Sequence, residues 1–249
     1  MTRLALLSDV HGNLAAFEAT IAAVRASGPD AILVAGDLVL NGPDPVGALD
    51  AVRALAADGA LVVSGNTDLA VADFDFGAAF PQYRDGGVPE AIRIAAEWAH
   101  DELDDDRLHW LRTLPAERRL RTDDDTLVLV VHASPGSQTA GFDPMLDPSV
   151  VYERVAATDA RVICVGHTHL PEVRDLGWKV IVNGGSAGYV FDGDPTASWA
   201  LIDIVDGEVT TELKRTPFDA LAVANAISAR GLPGDVYRAA TVRTGKLVR

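Results

Sequence analysis

The chain passes five times from a short apolar run directly into a turn carrying residues able to bind metal ions. Residues 4–7 lead into S-D-V-H-G-N with Asp9 and His11, residues 31–35 into G-D with Asp37, and residues 60–63 into S-G-N-T-D with Asn66. Residues 127–131 run into His132, and residues 161–165 into G-H-T-H with His167 and His169. Short apolar runs bounded by such turns read as buried strands. Between the first three runs lie a helix at 14–25, with Leu14, Phe17, Ile21 and Val24 on one face, and a second helix at 45–57. The chain therefore begins as βαβαβ, which favours parallel strands. In open α/β sheets the carboxyl ends of the strands line the ligand crevice, so these polar residues are expected along one edge.

A mostly helical stretch follows at 89–114. From Glu172 onward, strands are expected with little between them, at 172–176, 179–182, 198–205 and 208–214, and Asp206-Gly207 is a strong hairpin signal between the last two. That run suggests a second, mainly antiparallel sheet. Residues 218–230 read as a helix, and the final segment is ambiguous. The expected architecture is α/β, a four-layer sandwich of two mixed β-sheets flanked by α-helices. It would form one domain over 1–249, with a helical insertion at about 70–120 and a C-terminal helical segment at about 217–249.

Composition narrows the function. With 48% hydrophobic and 23% charged residues and no apolar run of membrane-spanning length, the chain reads as soluble and globular, without a membrane partner. No basic, apolar leader precedes the first strand, so a cytoplasmic location is expected. The single cysteine, Cys164, excludes an intrachain disulfide and a thiolate zinc cluster, and its apolar surroundings make it a buried hydrophobe. A net charge of −15 with no lysine or arginine stripe disfavours a long nucleic acid as partner. Oligomeric state is not legible.

Each strand end taken alone has a structural reading: Asp9 and Asn13 could cap the first helix, Asp37 could shape a turn, and His132 could be a satisfied core histidine. Taken together they do not, because burying Asp, His, Asp, Asn, His, His and His at one edge without a cation leaves polar groups unpaired. Seven oxygen and nitrogen donors exceed what one tetrahedral zinc needs and suit two ions sharing a bridging carboxylate. A donor set without sulfur favours Mn, Fe, Zn, Ni or Co over copper(I), and is less typical of calcium.

The motifs D9-V-H11, G36-D37, G65-N66-T67-D68, H132 and G166-H167-T168-H169 resemble, in order, those of the calcineurin-like metallophosphoesterase superfamily. The longer segments SDVHGNLAAFEA, GDLVLNGPDP and GHTHLPEV are similar to its small prokaryotic phosphoesterase branch. The resemblance implies a two-sheet sandwich and two divalent ions, manganese first. It further implies that Asp9, His11 and His169 hold one ion, that Asn66, His132 and His167 hold the other, and that Asp37 bridges both. Asp37, Asn66 and His132 would thus be catalytic as well as metal-binding.

The implied reaction is hydrolysis of a small phosphorylated substrate by metal-bound hydroxide, with a phosphodiester or other activated ester as the expected class. The family commonly places histidine after the ligand asparagine, and this chain has Thr67, which cannot serve as a general acid near neutral pH. Thr67 and Asp68 either complete the turn or touch substrate. Asn13, at a helix N-terminus, and Asn41, just after Asp37, are further candidates for substrate contact. Tyr189 and Phe191 follow a glycine-rich turn and are weighed as pocket walls without an assignment. The competing readings are a phosphomonoesterase, including a Ser/Thr protein phosphatase, and a metal-bearing scaffold without turnover.

Overall fold

The computed structural model describes residues 1–249. Strands β1 (Thr2–Leu7), β2 (Ala31–Ala35) and β3 (Leu61–Val63) are parallel and alternate with helices α1 (Leu14–Ser27) and α2 (Pro45–Ala57). Asn13 caps α1 and Asp44 caps α2, each accepting a backbone N–H of the first turn. Short helices α3 (Asn66–Ala72) and α4 (Phe76–Ala79) precede the longer α5 (Glu90–Glu102) and α6 (Asp105–Thr113).

The second half contributes β4 (Glu117–Arg121), β5 (Leu127–Val131), α7 (Pro148–Ala156), β6 (Val162–Val165), β7 (Glu172–Asp175) and β8 (Val180–Asn183). The chain then returns through β9 (Ala197–Val205) and β10 (Glu208–Thr216), and ends in α8 (Ala220–Arg230) and α9 (Asp235–Thr244). One sheet has the order β10-β9-β1-β2-β3 and the other β4-β5-β6-β8-β7. Both mix parallel and antiparallel pairs.

Alternation along the strands builds the layers. Leu4, Leu6, Leu33 and Ala35 of the first sheet meet Val128, Val130, Val162 and Cys164 of the second in a core between the sheets. The alternate residues Ala5, Leu7 and Val34 face outward onto Phe17, Leu49 and Val52 of α1 and α2. On the far side Leu129, Val131 and Ile163 pack on Val151 and Val155 of α7. The expected four layers are present, and strands buried on both faces are why the runs were uniformly apolar.

The C-terminal strands correct the expectation of a separate antiparallel sheet. β8 lies parallel to β6 in the second sheet, whereas β9 pairs antiparallel with β1 in the first, Leu4 opposite Ile202. Without them β1 and β6 would each present an unpaired apolar edge, and strand addition covers both. The glycine-rich turn after β8 carries the chain between sheets, with Ala187 N–H donating to Ser8 O at 2.8 Å. The expected helical insertion ends at Thr113, and β4 (ERRLR) is an edge strand whose exposed arginines hide its periodicity. The final segment is helical, as α9. No helix is long and apolar enough to cross a membrane.

Cys164 sits in the core between the sheets, where burial pushes its thiol up to about 12. Such a thiol is inert. Cys164 is expected to resist a thiol-specific reagent in native protein and to react fully in denaturant, and rapid native labelling would contradict this packing.

Candidate metal centre

The carboxyl ends of β1, β2, β3, β5 and β6 come together, and the loops after them bring all seven expected donors to one place. Asp9, His11, Asp37 and His169 offer donor atoms that lie within 4.8 Å of one another. His132 and His167 lie beside them, with His132 Nε2 and His167 Nδ1 3.2 Å apart, and Asn66 Oδ1 is 3.0 Å from each of these nitrogens. Asp37 faces both groups, its Oδ2 being 3.6 Å from His11 Nε2 and its Oδ1 3.4 Å from His132 Nε2. All are buried except His167, which is half-buried.

Backbone carbonyls set the imidazole tautomers. His11 Nδ1 donates to Leu40 O at 2.8 Å, His132 Nδ1 to Ala35 O at 2.7 Å, and His169 Nδ1 to Tyr189 O. Because a carbonyl only accepts, each neutral ring directs the lone pair of Nε2 into the site, the arrangement in which metal-binding histidines are held. With both rings neutral, His11 Nε2 and His169 Nε2 face each other 3.2 Å apart as two converging lone pairs. Asp9 Oδ1, 3.2 Å from His169 Nε2, is buried without a hydrogen-bond donor, while its Oδ2 accepts from His167 N–H. Converging lone pairs and an orphaned carboxylate oxygen fit divalent cations, and the geometry offers them two groups of donors with Asp37 between.

Electrostatics point the same way. Burial opposes a charge on Asp37, but His132, His11 and His167 outweigh it and hold the carboxyl far below its ordinary range. Burial likewise opposes the His132 imidazolium, yet Asp37 and Asp9 push it up from 6.5 to about 10. His11 is pushed down to about 4 by burial and then by His169, and His167 to about 4 by burial and then by His132. Protons on the imidazoles balance the two carboxylates, a role divalent ions take over on binding.

The local backbone is unusual. Asp9, His11, Asp37, His167 and His169 all have φ between 52° and 69°, the left-handed region that side-chain-bearing residues enter at a cost of about 1–3 kcal/mol each. Asp68 braces these loops: its carboxylate accepts N–H bonds from Gly65 at 2.8 Å, Asp37 at 3.0 Å and Leu38 at 2.7 Å. Gly65 is required there because a Cβ would lie 2.1 Å from Asp37 Oδ1.

A cavity of about 320 Å³ opens over the donors, lined by Asn41, Thr67, Phe80, Gln82, Thr139 and Phe191 among others. Thr67 N–H donates to Asp37 Oδ1 at 2.8 Å, while its buried hydroxyl has no partner. Asn41 is half-buried at the rim. Asn13 is not part of the lining: it is 1% exposed, its oxygen caps α1, and its amide donates to Gly188 O. Phe191 stacks on His169 with ring centroids 4.1 Å apart, and Tyr189 lies across from His11. Gln82 reaches the cavity from a 3-10 turn at Pro81–Tyr83, and Phe80 and Thr139 from loops, where no local pattern marks them.

Two measurements follow from this geometry. In metal-free protein the raised His132 pKa contributes stability that is complete below 6.5 and lost as pH rises through about 10. The rise in Tm on adding manganese is therefore expected to be larger near pH 9 than near pH 7, and an equal rise would show that the imidazole protons do not balance the carboxylates. Asp68→Asn, which turns an amide N–H toward backbone donors, should cost about 1–3 kcal/mol in urea unfolding.

Relatives share this framework. Residues 2–207 match the calcineurin-like phosphoesterase superfamily domain. A metallophosphoesterase from Sphaerobacter thermophilus superposes with a TM-score of 0.76 at 27% identity, covering 98% of this chain and 99% of that one. A hypothetical protein from Pyrococcus horikoshii OT3 has the same fold, with a TM-score of 0.83 at 20% identity over 98% of this chain and 99% of its own. An uncharacterized protein of Methanocaldococcus jannaschii is 27% identical over 247 residues, 92% of this chain and 93% of the relative. With the matched domain covering most of its length and the Asp and His cluster at its strand ends, the chain belongs to the calcineurin-like phosphoesterase superfamily.

Proposed function

We propose that the protein is a phosphodiesterase that uses two divalent ions, manganese first among Mn, Fe, Zn, Ni and Co, to hydrolyse a small phosphorylated molecule in the cytoplasm. The dinuclear reading rests on Asp37, whose two oxygens face separate groups of donors. The ions, when bound, supply a water of lowered pKa and a Lewis-acid clamp on the phosphoryl oxygens. The protein's own contribution is to hold the donors rigid and to shape what approaches them.

The character of the cavity carries the choice of diester over monoester. None of its lining residues is a lysine or arginine. Beyond the ions, the phosphoryl oxygens would meet neutral donors: the Thr67 hydroxyl and the amides of Asn41 and Gln82. A phosphomonoester carries close to two negative charges at neutral pH, whereas a diester carries one, so a neutral wall suits the diester. The Thr67 hydroxyl has no partner, and the residue lines the cavity beside the donors, so the hydroxyl is the group we assign to donate to a phosphoryl oxygen. Nothing at that position protonates a departing alkoxide, so esters with good leaving groups are favoured. Phe80 and Phe191 give the cavity apolar walls for the organic part of the substrate.

Metal-stripped protein reconstituted with manganese should hydrolyse an aryl phosphodiester in preference to the matching monoester, and Asp37→Asn should abolish the activity. Preferred monoester turnover would make the protein a phosphatase, and two bound ions without turnover of either ester would favour the scaffold. Thr67→Val keeps shape and removes only the hydroxyl. It should lower kcat/KM about 10- to 100-fold, the value of a hydrogen bond to a charged group, while leaving Tm unchanged. An unchanged kcat/KM would mean that the hydroxyl does not touch substrate.

A further inference from the structure

The two donor groups are anchored by different parts of the molecule. Asn66 Nδ2 donates to Ala79 O of α4 at 3.0 Å, and His132 Nδ1 to Ala35 O of β2. These anchors lie within the superfamily domain at 2–207. His11 and His169 instead lean on Leu40 O and Tyr189 O, and both of these segments are held from outside by α8 and α9, which lie beyond that domain.

The hold is specific. Arg230 donates to Asn41 O at 2.9 Å and Gly42 O at 2.6 Å, the two residues after Leu40. Arg238 Nε donates to Asn41 Oδ1 at 3.3 Å, which fixes the amide of a residue whose φ is 88°. The buried carboxylate of Asp235 joins the pair, 2.7 Å from Arg230 Nη2 and 3.0 Å from Arg238 Nη1. Arg238 is itself fixed by Pro233 O at 2.8 Å and Ala91 O at 2.5 Å, and Arg230 stacks over Trp98 at 4.5 Å. On the other side, Tyr189 is part of the apolar cluster of Val223, Ala224, Ile227, Ala239 and Val242 from the same two helices.

We propose that the C-terminal helix pair is a clamp on one half of the metal centre. Arg230 and Arg238, bridged by Asp235, are positioning residues that hold the Leu40–Gly42 loop, while the apolar face of α8 and α9 holds Tyr189. Together they aim His11 and His169, so the ion position of Asp9, His11 and His169 depends on α8 and α9, and that of Asn66, His132 and His167 does not. The clamp rests on the two-ion reading, but it is tested by binding alone.

The test is calorimetric titration of metal-stripped protein with manganese. Arg230→Met, Asp235→Leu and Arg238→Met are combined, because removing a whole buried ion network for apolar residues of similar volume commonly preserves folding, whereas removing one partner leaves a buried charge unpaired. If the triple variant fails to fold, Arg238→Lys replaces it, keeping the charge near Asp235 but losing the fork that reaches Asn41, Pro233 and Ala91. The wild type is expected to bind two ions, and the variant to bind one unchanged and the other about 10- to 100-fold more weakly, the range seen when outer contacts to metal-binding histidines are lost. His11→Ala in the wild-type background should abolish the same binding step that the variant weakens. A folded variant that binds both ions as the wild type does, or weakens both equally, overturns the clamp. If the wild type binds a single ion, the two-ion reading fails, and the clamp stands only if that ion is lost with His11→Ala and weakened in the variant.

Discussion

Asp37 is buried with its two carboxylate oxygens turned toward different imidazoles, Oδ1 toward His132 and Oδ2 toward His11. Removing such a charge from water costs several kcal/mol unless positive charge meets it at close range. Much of the surrounding architecture meets that requirement. Imidazoles converge on it from the strand ends, and a backbone N–H from Thr67 stabilises Oδ1. Asp68 ties the backbone of Asp37 and Leu38 to Gly65, so the loops after β2 and β3 are joined through one side chain. Burial and the neighbouring Asp37 charge push Asp68 up to about 7 against the Gly65 and Leu38 N–H donors, so acidic groups crowd even the bracing contacts.

Rigidity is the second consequence of burying this group. Left-handed backbone at Asp9, His11, Asp37, His167 and His169 persists because the surrounding sheets over-determine it. Gly42 packs where a Cβ would lie 2.2 Å from His11 O, and Gly188 where one would lie 2.0 Å from Val10 O. These close backbone approaches let loops from both sheets meet in so small a volume. The outer support is uneven: the Asn66 and His132 side is secured by the sandwich and α4, and the His11 and His169 side also by the terminal helices.

Much of the site was legible because it is written locally. Each donor follows an apolar strand by a few residues, and parallel strands place such positions on one edge wherever the strands lie in their sheets. The seven donors named from that pattern do lie together. Asn13 is different: a cap and a cavity residue look the same in sequence, and its burial against Gly188 follows only from the turn after β8 passing over it. Thr67 stands out as a departure from the family motif, but that its hydroxyl is buried and partnerless while its backbone N–H reaches Asp37 is a matter of packing.

The sequence by itself determined the strands other than β4, the hairpin at Asp206-Gly207, the α/β class and which polar residues follow the strand ends, because burial periodicity and turn chemistry act over a few residues. Only the tertiary structure decided that β9 and β10 complete the first sheet while β7 and β8 complete the second, and that the charged run of β4 is an edge strand. It alone decided that no lysine or arginine lines the cavity and that Arg230 and Arg238 are seated behind Asn41. Those features rest on contacts between residues far apart in the chain, 197 positions for Arg238 and Asn41, and no local pattern records which distant surface a strand edge or helix face will meet.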